Sequence, residues 1–141
     1  MEPKMTIPEI ELFLKDEFPQ MAGEFKIMAL TETGCKVRLQ TAERHLRPGN
    51  TISGPSMFAL ADVAMYIAVL SRIGPVALAV TTNCSIDFMR KPAAGVDLIG
   101  EAQLHKVGRS LAVGDVVMRS EARDDLVARA SLTYAIPPKR T

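Results

Sequence analysis

A long apolar segment between Ser53 and Gly74 constrains this chain more than any other feature. Large hydrophobic side chains fall on every face of a helix drawn through it: Met57, Phe58, Leu60, Val63, Met65, Ile67, Val69 and Leu70. A helix that is apolar all round has to be covered by other elements on most of its sides. Ser53 is a candidate N-cap, Pro55 suits a first turn, and Gly74-Pro75 predicts the end. The segment therefore predicts a buried central helix.

Asp62 stands out within this segment because it is the one charged residue before Arg72 in the last turn. A carboxylate in the middle of an apolar helix loses hydration, and it is rarely retained unless it is paired or used in chemistry. Asp62 is therefore a candidate functional residue. The alternative is a structural acid that an arginine or a helix N-terminus satisfies.

The length and charge of the chain narrow the possible functions. Its 141 residues fit a single domain, 1–141, and a net charge of +1 gives no electrostatic reason to expect nucleic acid or a membrane surface as partner. The first residues lack the basic-then-apolar order of a signal peptide, and Asp62 makes the central helix a poor membrane span. We expect a cytoplasmic protein.

The cysteines and histidines are too isolated to predict a metal site. Cys35 and Cys84 form no C-x-x-C motif, and neither His45 nor His105 stands at ligand spacing from them. We expect no metal, two free thiols, and histidines with packing or surface roles.

Periodicity and turn signals predict the remaining elements. A helix capped by Thr6 should run from Pro8 to about Lys15, against the edge of a sheet, and Thr41 to Thr51 should form a polar loop. The predicted strands are Phe25–Leu30, Cys35–Gln40, a long bent strand Val76–Met89, Val96–Val107, Ser110–Glu121 and Leu126–Ile136, with Val113 and Val117 in the core. Short connections between them predict an α+β domain in which an antiparallel sheet of about five to six strands wraps around the one long helix.

The loop and central helix, R-P-G-N-T-I-S-G-P-S-M-F-A-L-A-D-V-A-M-Y, resemble those of the hot-dog-fold acyl-CoA thioesterases of the phenylacetate-degradation (PaaI-like) type. That family carries an N-x-x-G-x-x-H-G-G-x-x-x-x-x-L-A-D-like signature. Here S-G-P takes the place of H-G-G, and Leu60-Ala61-Asp62 keeps L-A-D. The segments I-D-F-M-R-K-P-A and K-V-G-R-S-L-A-V-G-D-V are also similar to the family. The resemblance implies a hot-dog fold that hydrolyses a small or medium acyl-CoA to free acid and coenzyme A, with no separate cofactor.

The resemblance also implies a catalytic site divided between two chains. Asp62 would act as general base or nucleophile, and the Gly54 amide would bind the thioester oxygen. The two residues lie ~12 Å apart along one helix, so in the family they come from different subunits of a homodimer, which can pair into a homotetramer. Ser53 falls at the family histidine, where it can cap the helix, and Arg47 falls at the family asparagine, where it could pair with Asp62.

Further roles follow from the same resemblance. A threonine after the helix often lies near the acid, and Thr81 and Thr82 are the candidates. The coenzyme A phosphates would be met by basic residues that otherwise read as solvated turn residues: Arg90, Lys91, Lys106 and Arg109. The shape of the acyl pocket would depend on Met57, Phe58 and Tyr66.

Two other functions stay open on the sequence. A non-catalytic acyl-CoA or lipid-binding protein fits the loss of the family histidine and asparagine. An acyl-thioester hydratase or dehydratase has the same fold, but neither His45 nor His105 lies in a hydratase motif. A serine hydrolase is disfavoured, because Ser53-Gly54 does not form G-x-S-x-G.

Overall fold

The computed structural model describes residues 3–21 and 23–138. Within them the helices are α1 (Ile7–Glu17) and α2 (Gly54–Ile73), together with 3-10 helices at Pro19–Met21 and Glu43–His45. The strands are β1 (Phe25–Leu30), β2 (Gly34–Leu39), β3 (Leu46–Arg47), β4 (Thr51–Ile52), β5 (Val80–Phe88), β6 (Leu98–Val107), β7 (Leu111–Ser120) and β8 (Leu126–Ala135).

Six of these strands form one antiparallel sheet in the order β1-β2-β6-β7-β8-β5, and β3 pairs only with β4. α2 contacts all six strands of the large sheet, so the sheet curves around the helix. The predicted α+β class, with antiparallel strands wrapped around one long helix, is confirmed. β1 and β5 are the two edges of the sheet.

α2 is buried on nearly all faces, as its composition requires. Leu60, Met65 and Ile67 are fully buried. By length and composition the helix could cross a membrane, with a mean hydropathy of 1.5 over 18 residues, but 72% of that stretch is buried under the other elements. This is the arrangement of a core helix.

The two ends of α2 are fixed by polar contacts. At the start, the Ser53 side chain accepts a hydrogen bond from the Ser56 amide. At the end, Gly74 is the C-cap, and the buried guanidinium of Arg72 donates to the backbone carbonyls of Thr31 (2.6 Å) and Glu32. Since those carbonyls lie in the turn between β1 and β2, Arg72 ties the helix to the sheet.

α1 extends slightly further than the sequence predicts. Thr6 and Glu9 form a capping box, in which the Thr6 amide donates to Glu9 Oε1 (2.9 Å) and the Glu9 amide donates to Thr6 Oγ1 (3.3 Å). The helix packs against edge strand β1 and against α2. Its position at the sheet edge agrees with the prediction.

Two predicted segments differ in detail from the structure. The loop Thr41 to Thr51 holds a 3-10 helix and the β3 strand, and it runs into β4. The long strand predicted over Val76–Met89 is regular only from Val80, because a turn in which the Val76 amide donates to the Gly74 carbonyl comes first. An irregularity between Thr81 and Asn83 supplies the expected bend.

The prediction that Val113 and Val117 belong to the core is wrong. Val113 is 37% exposed and Val117 is half-buried, because β7 turns its alternate residues, including Val116, towards α2. Gly114 is one of the two core-facing residues between these valines. A Cβ added there would lie 2.5 Å from the Gln103 carbonyl oxygen and 2.9 Å from Met65 Cε. Because this core-facing residue has no hydrophobic side chain, the sequence pattern did not show which face of β7 is buried.

Candidate active site

Asp62 is half-buried on α2 and lines a cavity of about 290 Å³. Two hydroxyl groups donate hydrogen bonds to its Oδ1 atom: Tyr134, at 2.7 Å, and Thr81. Among the described residues, no hydrogen bond reaches Oδ2. The carboxylate is thus held through one oxygen, and the other is left for a water molecule or substrate. The remaining walls are mainly apolar and aromatic, including Phe18, Met21 and Tyr66.

Strand alternation decides which predicted threonine reaches Asp62. Thr81 turns towards α2, whereas Thr82 is exposed and its hydroxyl donates to the Thr133 carbonyl oxygen (3.3 Å). The structure therefore brings Thr81 to the acid and places the Thr82 hydroxyl elsewhere.

Tyr134 is a site residue that the sequence prediction missed. It is 3% exposed on β8, and its ring stacks on Tyr66 with centroids 6.0 Å apart. Burial raises the pKa of the Tyr134 hydroxyl, and the negative charge of Asp62 raises it further, so the group stays protonated and remains a donor. The signal was available: a buried tyrosine hydroxyl needs a partner, and the central helix offers one acid.

The start of α2 supplies a candidate oxygen-binding group. The first turn of a helix has amides without intrahelical acceptors. Here Pro55 has no N–H, the Ser56 amide donates to Ser53 Oγ (3.3 Å), and the Met57 amide donates to the Ser53 carbonyl (3.1 Å). Gly54 is the first residue of the helix, and its N–H has no hydrogen-bond acceptor among the residues that the structure describes. The predicted cap at Ser53 is confirmed, and its hydroxyl is engaged with the Ser56 side chain as well.

Gly54 lines a second cavity, of about 450 Å³. Arg47, Met57, Arg90 and Lys91 line it too, and the Phe88 ring lies against Gly54. Arg47 is exposed and lines this cavity, and not the one that holds Asp62. The amide and the carboxylate thus face different cavities of the same chain.

The other predicted basic residues lie away from Gly54. Arg109 lines a groove of about 580 Å³ with Ile73, at the opposite end of α2. Lys106 is exposed near the same turn, two residues before Gly108. Arg90 and Lys91 are the two predicted cations that share a cavity with Gly54.

The three predicted pocket residues are also separated. Met57 lines the Gly54 cavity, Tyr66 lines the Asp62 cavity, and Phe58 is 41% exposed and lines neither.

The histidines take no part in either cavity. His45 is buried and contacts Glu24 Oε1 through Nε2 (3.1 Å), and His105 contacts Asp115 on the exposed side of the sheet (2.8 Å). In residues 3–21 and 23–138, no group of three or more His, Cys, Asp or Glu side chains is placed to hold a metal ion.

Residues 49–134 match the family model of the thioesterase superfamily. The chain belongs to this family. A solved protein from Silicibacter sp. TM1040, provisionally assigned as a thioesterase, is 54% identical, with 98% of this chain and 96% of that chain covered and a TM-score of 0.91. The predicted assignment as a thioester hydrolase with a hot-dog fold is confirmed at the level of the superfamily.

Two further structures extend the comparison. A variant of the phenylacetic acid degradation protein PaaI from Thermus thermophilus is 29% identical, with 84% of this chain and 99% of that chain covered and a TM-score of 0.72. A Streptococcus mutans protein bound to acetyl-CoA is 22% identical, with 83% and 91% covered and a TM-score of 0.71, and it shares the fold.

Proposed function

We propose that this thioesterase-superfamily protein hydrolyses a small or medium acyl-CoA to the free acid and coenzyme A, with Asp62 as general base or nucleophile. One observation carries the proposal: the Asp62 carboxylate, in a largely apolar cavity, has one oxygen held by two hydroxyls and the other free of described partners. A carboxylate fixed in this way suits the activation of water or direct attack on a carbonyl carbon.

The Gly54 amide would stabilise the charge that develops during the reaction. As water adds to the thioester carbonyl, its oxygen becomes negative, and a free N–H at a helix N-terminus can donate to it. Asp62 takes the proton of the water. The carbon–sulfur bond then breaks, and the coenzyme A thiolate leaves with the proton that Asp62 took, which returns Asp62 to the carboxylate form.

A complete site would combine Gly54 of one chain with Asp62 of a partner in a homodimer, which can assemble further into a homotetramer. The two residues are ~12 Å apart along α2 and face different cavities, which supports a shared site. β5 supports it as well. It is an edge strand, all of its residues are exposed or half-buried, and Val80 and Phe88 are 50% and 52% exposed. A sheet edge with one open side and exposed apolar side chains favours pairing with a second copy.

Arg90 and Lys91 would bind the coenzyme A phosphates. Both are exposed and both line the Gly54 cavity, so they could hold the nucleotide end while the thioester reaches the amide. Arg47, in the same cavity, is a further cation for this end of the substrate. The acetyl-CoA complex of the Streptococcus mutans protein of the same fold agrees with this class of ligand.

Ser53 and Arg47 also support a second candidate, a non-catalytic acyl-CoA-binding protein. Ser53 takes the place of the family histidine, and the structure shows its hydroxyl engaged in capping α2. In a non-catalytic binding protein, Asp62 would have a structural role, with its carboxylate accepting hydrogen bonds from Thr81 and Tyr134.

Thiol release from a panel of aliphatic and aromatic acyl-CoAs separates the two. We expect turnover that Asp62→Asn abolishes without loss of the fold. Equal activity in Asp62→Asn would refute the mechanism. Tight acyl-CoA binding without turnover by the wild-type protein would favour the binding role.

A further inference from the structure

We propose that Tyr134 is a positioning residue that fixes the Asp62 carboxylate for the proposed hydrolysis. The proposal rests on that function and deepens it. The Tyr134 hydroxyl lies 2.7 Å from Asp62 Oδ1 and 3.0 Å from the Asp62 backbone oxygen. One hydroxyl thus meets both the side chain and the main chain of the same residue, which restricts rotation of the carboxyl group.

Tyr134 is itself held rigidly. Its ring is stacked on Tyr66 at an interplanar angle of 22°, and its side chain is almost completely buried. On β8 it pairs with Ala112 of β7 on one side and with Thr81 of β5 on the other. Since ladders on both sides fix the backbone, the hydroxyl has little freedom to move away from Asp62.

The pairing of Tyr134 with Thr81 explains why both hydroxyls reach one oxygen. Residues opposite each other on antiparallel strands have Cβ atoms about 4.5–5.5 Å apart and point to the same face. That face meets α2 at Asp62, so the two hydroxyls converge on Oδ1. With Oδ1 occupied, Oδ2 is the atom available to take a proton from water or to attack.

Tyr134→Phe removes the hydroxyl and keeps the ring. We expect kcat for acyl-CoA hydrolysis to fall roughly 10- to 100-fold, with KM changed by less than about threefold, because a hydrogen bond to a charged group is lost while the ring that lines the cavity is kept. The matched control is Tyr66→Phe, whose hydroxyl donates to the Ala77 carbonyl (3.1 Å). Both tyrosines line the cavity, but of their two hydroxyls only that of Tyr134 bonds to Asp62, so any effect of the control should fall on KM.

Thr81→Val tests whether the Thr81 and Tyr134 hydroxyls act through the same atom, Asp62 Oδ1. If both hydroxyls act through Oδ1, the double variant Thr81→Val/Tyr134→Phe should lose less kcat than the product of the two single losses. Independent, multiplicative losses would overturn a common positioning role.

The outcomes separate this inference from the proposed function. If Asp62→Asn is inactive while Tyr134→Phe keeps the wild-type kcat, Tyr134 has no positioning role and the hydrolysis mechanism stands. Crystal structures of the wild type and of Tyr134→Phe give a readout that needs no turnover. We expect the Asp62 carboxylate to rotate or lose order in the variant. An unchanged, ordered carboxylate would overturn the inference even if the wild type hydrolyses no thioester.

Discussion

Replacing Gly54 by proline removes the proposed oxygen-binding N–H while leaving α2 able to form. Proline is favoured in the first helical position, and the preceding residue has to be extended. Ser53 already has φ −73° and ψ 156°, and a Cβ at Gly54 would meet its nearest neighbour, Phe88 Cζ, at 3.4 Å. The backbone therefore accepts the substitution. The loss of chain freedom in the unfolded state should even stabilise the protein by about 0.4–1 kcal/mol.

The effect on catalysis should be much larger than the effect on stability. Loss of one donor to a developing oxyanion raises the barrier by about 2.7–4 kcal/mol, which lowers kcat roughly 100- to 1000-fold. Gly54→Ala is the control, because it adds the same Cβ and keeps the N–H. Thiol release measures the rate and thermal unfolding measures the stability. If Gly54→Pro folds and is as active as Gly54→Ala, this amide is not the oxygen-binding group.

The same variant tests whether the site is shared. Neither Gly54→Pro nor Asp62→Asn should be active alone. After the two are unfolded together and refolded in equal amounts, about half of random dimers are mixed, and each mixed dimer has one of its two sites intact. Activity should therefore return to about a quarter of the wild-type value. No recovery, with mixed dimers shown by mass spectrometry, would refute a site built from two chains.

Three other perturbations have defined outcomes. Hydrogen bonding from Arg44 lowers the pKa of Glu24, so the pair stabilises the fold above the ordinary carboxyl pKa of 4.5 and the effect is lost as pH falls through the lowered value. Glu24→Gln should cost up to about 1 kcal/mol in thermal unfolding at pH 7 and progressively less as the pH falls below 4.5, and a cost that stays constant down to the acid limit of folding would contradict this. Burial raises the pKa of Cys35 to about 12, so its thiol should react with a disulfide reagent only on unfolding, as mass spectrometry of the native protein can show. Arg90→Ala/Lys91→Ala should raise KM for acyl-CoA with little change in kcat, and an unchanged KM at low salt would exclude phosphate binding there.

Short sequence patterns correctly predicted both ends of α2 and the start of α1, which depend on a few neighbouring residues. The Ser53 cap and the Gly74 stop set the bounds of α2 to within a residue, and Thr6 did the same for the start of α1. The all-round apolar pattern of α2 required a cover, and the strands predicted before and after it supplied one. These predictions succeeded because each depends on neighbours in the chain.

The misses depend on which way a strand faces and on what lies across the sheet. Val113 faces outwards because the alternate residues of β7, including Gly114 and Val116, face α2. Tyr134 lies beside Asp62 because β8 is placed next to β5 in the sheet, and the order of strands in a sheet cannot be predicted from local sequence patterns. Arg109 and Arg90 look alike as charged turn residues, yet they lie at opposite ends of α2.

The walls of the cavity around Asp62 come from two separate parts of the chain, one inside and one outside the region that matches the family model. The carboxylate and its two hydroxyl donors come from α2, β5 and β8, all within the residues that match the family model. Phe18 and Met21 come from the end of α1 and the 3-10 helix that follows, before the matched region begins. Substitutions at these two positions would reshape the space offered to an acyl group without removing any hydrogen bond to Asp62. Substrate preference could then diverge among close relatives while the chemistry stays constant.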